Sequence, residues 1–296
     1  MMQPVYAYDP YNQASNIPMP VPVPAVPYQA QTVPGQVQFG ALRCIVVSDP
    51  MTELATCKSV IIKQQPELLE MISGCETANR YHVLGNQGSG LYKYLFKCNE
   101  RSDFCQRNCC PSNMREFNME IFHAVAGPIT GNIAGKFANA FKPFKCSLFC
   151  LNRPIIKVNL EANNQYIGEI KHLFSFCDPE FEVYNNQGLL YYVRADCCQC
   201  GLLCANNFCG KMSTATFEIY KPGTSTVLAT ISKMSAQSLG EMITDADSYQ
   251  VGFPPTATPE EKLLLIALGL MIDYQYFETS SSDDNKGYGR SRYGYY

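Results

Sequence analysis

The chain has 296 residues, a formal net charge of −3 and a hydrophobic content of 46%, which is the composition of one large or two smaller globular domains. The near-neutral charge argues against nucleic acid as the main partner, because polyanion binding needs a clear excess of Lys and Arg. The N-terminal MMQPVYAYDP lacks the basic and then apolar stretches of a secretory signal. Without such a signal, the chain is expected to stay in the cytosol, which is a reducing compartment. The fifteen cysteines are therefore expected to be metal ligands, acylation sites or small buried residues, and not a disulfide framework.

The first 40 residues are predicted to be a disordered, proline-rich segment. Residues 18–27 read PMPVPVPAVP, a run that favours polyproline II and leaves few backbone donors for a sheet. Pro24 and Pro27 form a P-x-x-P match, which predicts binding to an SH3- or WW-domain protein. The alternative is a plain disordered linker. Residues 279–296 are rich in Ser, Asp, Gly and Tyr and are predicted to be a disordered tail, which leaves residues 41–278 as the folded domain.

Between these segments the pattern predicts mainly β structure. One short helix is predicted over residues 64–72. Gly and Asn clusters at residues 85–88 and 185–188 predict hairpin turns. Apolar and polar residues alternate over 155–161 and 216–220, which is typical of half-buried strands.

Two stretches of the chain resemble each other at an offset of 100 residues. The offset predicts a doubled β unit, whose two copies close on each other and leave no exposed sheet edge. The alternative is a coincidence between two turn-rich β segments. The residues that recur 100 positions later are Val83, Asn86, Gln87, Gly88, Tyr92, Cys98, Cys109 and Phe117.

Residues 263–272 read LLLIALGLMI, an uninterrupted apolar run. Thr258 and Glu261 match a capping box, so the run belongs to a helix predicted over residues 259–277. Ten residues span about 15 Å, half of a hydrocarbon core of roughly 30 Å. A longer span would have to bury Asp273, which is costly in lipid. Of the two interpretations, a helix enclosed by β strands is therefore favoured over a membrane span.

Several motifs, in the same order along about residues 40–278, resemble those of the phospholipid scramblase family. The resemblance implies a tubby-like fold, which is mainly β: a closed antiparallel β barrel of about twelve strands, in two pseudo-symmetric halves, around a central hydrophobic C-terminal helix. In that family the helix is often described as a membrane span, which the length argument disputes. The motifs are QQPELLE at 64–70, GCETANRY at 74–81, RNCC at 107–110, TDAD at 244–247 with Phe253-Pro254 after it, and LMIDY at 270–274.

The resemblance also implies a function. The family moves phospholipids between leaflets in both directions, in response to calcium and without ATP, and is associated with the cytoplasmic face of the plasma membrane. A second hypothesis is a membrane-tethered adaptor that binds lipid or protein, recruits partners through the proline-rich arm and scrambles nothing. A plugged barrel offers a headgroup no polar path, so scrambling would require a homo-oligomer, bilayer thinning or opening of the helix. Enzyme chemistry is not predicted, because His82, His123 and His172 are isolated and no G-x-S-x-G elbow is present.

Calcium is the cofactor that the resemblance implies. In an EF-hand-type count from Asp245, that residue and Asp247 occupy positions 1 and 3. Thr256 occupies position 12, where the scramblase family usually has Asp, and Ser248 offers a further oxygen. This ligand set predicts weak binding, with a dissociation constant of about 10⁻⁴–10⁻³ M or poorer. The alternative is that the two aspartates are turn residues between strands.

Cysteines provide the remaining candidate sites. The family carries a palmitoylated cysteine cluster after a basic-Pro element, and Cys146 and Cys150 stand in that place behind Lys142 and Lys145. Two acyl chains would anchor the chain stably, whereas one would not, and the alternative is that both thiols pack or lie in a loop. A zinc site is also stereochemically feasible, although buried or loop thiols are the simpler interpretation. Its ligands would be Cys105, Cys109, Cys197 and Cys200.

Overall fold

The computed structural model describes residues 49–65, 78–88, 92–110, 114–124, 133–145, 153–199, 202, 214–234 and 248–277. The predicted proline-rich segment and the predicted tail lie outside these residues, so both stay predictions. A short helix, α1 (Pro50–Thr56), precedes the first strand and begins at the N-cap Asp49, whose carboxylate accepts from the Thr52 backbone N–H.

Twelve antiparallel strands close into a barrel, in which each strand pairs with its neighbours in the sequence and the first pairs with the last. The strands are β1 (Ser59–Gln64), β2 (Arg80–Asn86), β3 (Tyr92–Glu100), β4 (Phe117–Ala124), β5 (Ile133–Lys142), β6 (Ile155–Leu160), β7 (Gln165–His172), β8 (Glu180–Asn185), β9 (Gly188–Arg194), β10 (Thr216–Tyr220), β11 (Val227–Met234) and β12 (Ser248–Gly252). The barrel closes where Val60 of β1 lies opposite Val251 of β12. Closure pairs both edges of the sheet, as the sequence predicted.

Residues 100 positions apart occupy corresponding strands of the two halves of the barrel. The offset relates β2 to β8, β3 to β9 and β4 to β10. Val83 and Val183 are both fully buried. Phe117, the first residue of β4, and Phe217, the second residue of β10, are also buried. The correspondence is interrupted between β9 and β10, because Cys98 is buried in β3 whereas Cys198 is exposed in the connection that follows β9.

In both predicted Gly and Asn turns, an asparagine side chain accepts from the backbone N–H of a glycine two or three residues later. Asn86 Oδ1 accepts from the Gly88 N–H at 2.7 Å, and Asn185 Oδ1 accepts from the Gly188 N–H at 3.1 Å. Both glycines have positive φ, +94° and +134°, which a residue without a Cβ adopts at little cost. The strand predictions over 155–161 and 216–220 are also confirmed by β6 and β10, whose buried and outward-facing residues alternate.

The interior of the barrel is filled by the C-terminal helix. This helix, α3 (Pro259–Ile272), begins with a complete capping box of Thr258 and Glu261 and continues as a π-helical turn, Asp273–Phe277. Every residue from Lys262 to Ile272 is buried, because strands surround the helix on all sides. The prediction of an enclosed apolar helix is confirmed, and among the residues that the structure describes no helix combines the length and the apolar character that crossing a bilayer requires.

One predicted element differs from the structure. The helix predicted over residues 64–72 does not include residue 64, since Gln64 is the last residue of β1 and pairs with Tyr81 of β2. Its remaining residues from 66 onward lie outside the described part of the chain. A further short helix, α2 (Phe104–Cys109), lies in the β3–β4 connection and is capped by the Asp103 carboxylate. Local capping chemistry there outweighs the weak propensity of a six-residue segment.

Candidate functional site

The two poles of the barrel differ in their connections. Because consecutive strands are antiparallel, the pole at the carboxyl end of α3, here called the carboxyl pole, carries the β1–β2, β3–β4, β5–β6, β7–β8, β9–β10 and β11–β12 connections. The shortest of these covers residues 173–179 and the longest residues 195–215. At the opposite amino pole, the connections range from the β8–β9 loop of Asn186 and Gln187 to residues 125–132 between β4 and β5. Long connections at one end of a rigid scaffold are where binding residues concentrate.

The predicted calcium residues do not form one ligand set. Ser248 is the buried first residue of β12 and lies at the carboxyl pole, whereas Thr256 follows the other end of that strand. Four residues of strand at about 3.3 Å each separate Ser248 from Gly252 by roughly 13 Å, whereas calcium holds its oxygens at about 2.3–2.6 Å. Ser248 and Thr256 therefore cannot ligate the same ion. Asp245 and Asp247 lie outside the described residues, so their part in calcium binding stays a prediction.

The predicted acylation and adaptor sites also lie outside the described residues. Cys146 and Cys150 belong to the β5–β6 connection, of which the structure describes Lys145 on one side and Arg153 on the other. Pro24 and Pro27 precede the first described residue. Lys142 is one of the two lysines that precede the predicted acylation site. It is buried, with its Nζ 5.9 Å from the centroid of the Tyr274 ring.

One ligand of the predicted zinc site, Cys197, forms a disulfide bond instead. Cys197 is bonded to Cys177, with an S–S distance of 2.18 Å, so in this state it has no thiolate to give a metal. Cys105 is exposed on α2, while the side chain of Cys109 and all of Cys200 lie outside the description. Two other groups of potential ligands, Cys177 with Asp178 and Asp196 with Cys198, each depend on the same bonded Cys197.

The disulfide was not foreseen, because Cys177 stands alone in the sequence and no spacing points to its partner. The fold supplies the reason for the pair. The β7–β8 and β9–β10 connections are neighbours at the carboxyl pole, and the two Cα atoms lie 5.7 Å apart, within the usual disulfide range. The Cys197 N–H also donates to the Asp178 carboxylate at 3.0 Å, so two bonds hold these connections together.

A basic groove lies beside this disulfide-bonded connection. The groove has a volume of about 380 Å³ and is lined by Lys145, Arg153, Ile155, Lys171, His172, Leu173 and Phe174. The Arg153 guanidinium donates through Nε and Nη2 to the Leu173 carbonyl, at 3.2 and 2.9 Å. Its Nη2 also lies 3.1 Å from His172 Nε2. Lys171 Nζ lies 3.1 Å from the Glu169 carboxylate and 4.1 Å from the centroid of the Tyr184 ring.

His172 carries no charge near neutral pH. Burial, together with the nearby charges of Arg153 and Lys142, lowers the pKa of His172 to about 3. The neutral ring can accept at Nε2, which lies 2.8 Å from the Tyr276 hydroxyl. Tyr276 belongs to the π-helical turn at the end of α3. His172, which lines the groove, is therefore joined to the end of the central helix by this hydrogen bond and adds no positive charge to the groove.

Exposed phenylalanines lie in the groove lining and in connections at the same pole. Phe174 is 47% exposed and Phe176 is 84% exposed, and their ring centroids lie 5.1 Å apart. Phe144, in the β5–β6 connection, is 49% exposed, and Phe104 on α2 is 56% exposed. Within the described ranges, every exposed phenylalanine lies at the carboxyl pole, in three connections that are adjacent around the barrel. Apolar rings beside unburied cations are typical of a surface that meets a membrane interface.

The end of the central helix closes the barrel interior at this pole. The Asp273 carboxylate is 2% exposed and accepts hydrogen bonds from the Tyr81 hydroxyl, at 2.6 Å, and from the Tyr249 hydroxyl. A buried carboxylate needs such donors, since burying it without them would cost several kcal/mol. The sequence identified Asp273 only as an obstacle to a membrane span, because its tyrosine partners are 192 and 24 residues away.

Comparison with known proteins places the chain in a family. The scramblase family model matches residues 41–279. Phospholipid scramblase 1 of Homo sapiens is 27% identical over 234 residues, which are 79% of this chain and 67% of that protein. Phospholipid scramblase 1 of Mus musculus is 25% identical over 234 residues, 79% of this chain and 65% of that protein. Phospholipid scramblase 2 of Bos taurus is 25% identical over 261 residues, 88% of this chain and 80% of that protein.

The match extends across the whole barrel, from before α1 to the end of the π-helical turn. The chain spans about two thirds of the length of the human and mouse relatives. Because the family model covers more than half of the sequence, and the closed barrel with its enclosed helix covers the same residues, the chain belongs to the scramblase family.

Proposed function

We propose that this chain moves phospholipids between the two leaflets of a membrane, in both directions, in response to calcium and without ATP, while attached to the cytoplasmic face of the plasma membrane. The observation that carries the proposal is the match of the scramblase family model to residues 41–279. The exposed phenylalanines and the basic groove at the carboxyl pole support contact with a bilayer. The predicted acylation segment, between Lys145 and Arg153, belongs to a connection at the same pole.

The filled interior constrains how lipid would move. At Gly269 on α3, an added Cβ would lie 2.9 Å from Ile62 Cδ1 of β1. At Gly168 on β7, it would lie 2.1 Å from the Tyr184 carbonyl oxygen and 2.9 Å from Leu264 Cδ1 of the helix. A barrel packed this closely has no room for a headgroup between helix and wall. Lipid would therefore cross outside the barrel wall, at a bilayer that the protein perturbs, or after the helix has left its place.

The proposal is tested with purified protein in liposomes that carry fluorescent lipids in both leaflets. A membrane-impermeant reductant bleaches the outer leaflet, and lipid that reaches this leaflet is bleached in turn. Scrambling predicts loss of the protected half of the signal when calcium is added, with ATP absent. A protected half that persists at millimolar calcium would overturn the proposal. Asp245→Asn with Asp247→Asn is expected to abolish the calcium response, whereas Thr256→Val is expected to leave it unchanged.

A second function is a membrane-tethered adaptor that binds lipid or protein, with the proline-rich arm as the recruiting element. The separation of Ser248 from Thr256 favours it, because that separation removes one of the four predicted oxygen ligands from the calcium set. The filled barrel also favours the adaptor, because its interior leaves no room for a lipid headgroup. In the liposome assay, the adaptor function predicts that the chain binds the membrane but that the inner leaflet is not bleached. Removal of residues 1–40 would then abolish binding to an SH3- or WW-domain protein, and the truncated chain would stay on the membrane.

A further inference from the structure

We infer that the basic groove, together with Phe174 and Phe176 beside it, is a docking surface for an anionic phospholipid bilayer. The inference rests on the proposed function in one respect, that the chain works at a membrane. It adds which face meets the bilayer, which lipids that face selects and which residues select them. The carboxyl pole would point toward the lipid, with cations among the headgroups and the two rings at the boundary with the acyl chains.

The first argument is charge. Among ion pairs between described residues, none involves Lys145 or Arg153, so both carry positive charge without a carboxylate partner. Lys171 is compensated in part by Glu169. His172 lies among these cations as a neutral ring. Among the described residues that line it, the groove has an excess of positive charge and no acidic side chain, so it attracts the negative surface of an anionic leaflet.

The second argument is preorganisation. Arg153 is held by the Leu173 carbonyl and by His172, so its guanidinium loses little further freedom when it meets a phosphate. The same contacts fix the start of the β7–β8 connection. At the end of that connection, the Asp178 carboxylate accepts from the Cys197 N–H at 3.0 Å, a contact that does not depend on the oxidation state of Cys177 and Cys197. The two phenylalanines lie between these fixed points, so their position relative to the groove is set before any lipid arrives.

The third argument is the exposure of the rings. Phe176 leaves 84% of its surface in water, at a position that a polar residue could occupy at no cost to the core. Its neighbour Phe174 forms a T-shaped pair with it, and Phe144 adds a third ring from the adjacent connection. Burying such rings at a bilayer surface recovers free energy that exposure costs. Exposed apolar residues at the amino pole, Leu189 and Val227, have less exposed surface and no groove beside them among the described cavities.

A larger cleft at the carboxyl pole was weighed as the docking site and is less suitable. It has a volume of about 780 Å³ and is lined by residues of both charge signs, from Arg80 to Asn118. Two of its charged side chains already have partners within the protein, and the first is Glu100, whose carboxylate accepts from the Asn79 N–H at 2.9 Å and from the Ser102 hydroxyl. Arg101 pairs with Glu120 at 2.8 Å. Lipid phosphate would have to compete with these internal bonds.

The test is flotation of the full chain with vesicles, after neutral hydroxylamine has removed any thioester-linked acyl groups. One set of vesicles is phosphatidylcholine alone, and the other contains a third of phosphatidylserine. The chain is expected to bind the anionic vesicles more tightly, and added salt is expected to weaken that binding. Lys145→Gln and Lys171→Gln are each expected to weaken anionic binding up to about fivefold. Phe176→Ser is expected to weaken binding to both kinds of vesicle about tenfold.

Matched controls come from the amino pole. Lys221→Gln removes an exposed cation, and Leu189→Ser removes an exposed apolar side chain; both are expected to leave vesicle binding unchanged. Equal binding to the neutral and anionic vesicles would overturn the inference. So would equal losses from Lys221→Gln and Lys145→Gln. Absence of binding to either vesicle would also overturn it, and would leave an acidic protein surface as the occupant of the groove.

The flotation and bleaching assays distinguish failure of the docking surface from failure of the scramblase proposal. Charge-selective binding without lipid movement would overturn the scramblase proposal and leave the docking surface in place. Lipid movement in a protein whose binding ignores Lys145 and Phe176 would overturn the docking surface and leave the scramblase proposal in place.

Discussion

Replacing Gly269 by alanine tests whether α3 packs against the barrel wall. An added methyl group would lie 2.9 Å from Ile62 Cδ1 of β1 and 3.1 Å from Val251 Cγ2 of β12, whereas carbon atoms prefer roughly 3.5–4.0 Å. In an exposed or lipid-facing helix, Gly→Ala would stabilise by about 1 kcal/mol through helix propensity. Inside the barrel, overpacking costs about 1–3 kcal/mol. We therefore expect Gly269→Ala to lower the free energy of unfolding by about 1 kcal/mol, the opposite sign to that of an unenclosed helix.

A double-mutant cycle assigns this cost to one contact. Ile62→Val deletes Cδ1, the atom nearest to the new methyl group, and by itself costs about 1 kcal/mol through the space it leaves. Combined with Gly269→Ala, it exchanges one methyl for another at nearly constant volume. We expect a favourable coupling free energy of about 1–2 kcal/mol, so that the double variant is at least as stable as Ile62→Val alone.

Urea unfolding at constant pH measures the four free energies of the cycle. Gly135→Ala is the matched control, because a Cβ there meets nothing within 4 Å, and its effect should add to that of Ile62→Val. Additivity of Gly269→Ala and Ile62→Val within about 0.5 kcal/mol, or stabilisation by Gly269→Ala, would refute the packing of this helix against β1.

Three further predictions follow from buried polar contacts and the disulfide. Lys262→Met removes an Nζ that donates to three backbone carbonyls, at 2.7–3.1 Å, and should lower the free energy of unfolding by about 3 kcal/mol; urea unfolding unchanged from the wild type would contradict this. Because the pKa of His172 is about 3 and its ordinary value is 6.5, the unfolded chain takes up the proton first as pH falls. Stability that is present above pH 6.5 should therefore be lost toward pH 3, by at most about 1.4 kcal/mol per pH unit. His172→Gln should flatten that slope in urea melts, and an unchanged slope would argue against it. Cys177→Ser should lower the free energy of unfolding by about 3 kcal/mol and speed proteolysis within residues 173–179, whereas Cys105→Ser should do neither; equal proteolysis of the two variants would show that the bond does not hold this connection.

Sequence patterns predicted the elements whose signal is local or repeated. The enclosed helix followed from the length of its apolar run and from the capping box at Thr258 and Glu261. The strand pairs followed from alternation and from the Asn and Gly turns, because such turns fix hairpins within a few residues. The offset of 100 residues added the long-range information that a closed barrel requires, since it indicated two similar halves.

The candidate site was predicted less well, because its residues come together only through the barrel. Lys145 and Arg153 lie in the β5–β6 connection, whereas Lys171 and Phe174 lie at and just beyond the end of β7, and nothing in the sequence shows that these two stretches line one groove. Cys177 had no visible partner until two connections became neighbours. Counting positions along the chain placed Thr256 in the calcium set, but the strand between it and Ser248 carries the two residues to opposite poles.

The account depends most on α3 staying inside the barrel when the protein is on a membrane. Ala267, which is fully buried, is replaced by cysteine, and the vesicle-bound protein is treated with a membrane-permeant maleimide before the modified peptides are measured by mass spectrometry. Phe176→Cys serves as the exposed position that must react in the free protein. Enclosure predicts that the cysteine at position 267 stays unmodified until urea unfolds the barrel. Modification of that cysteine in the bound, folded protein would contradict it.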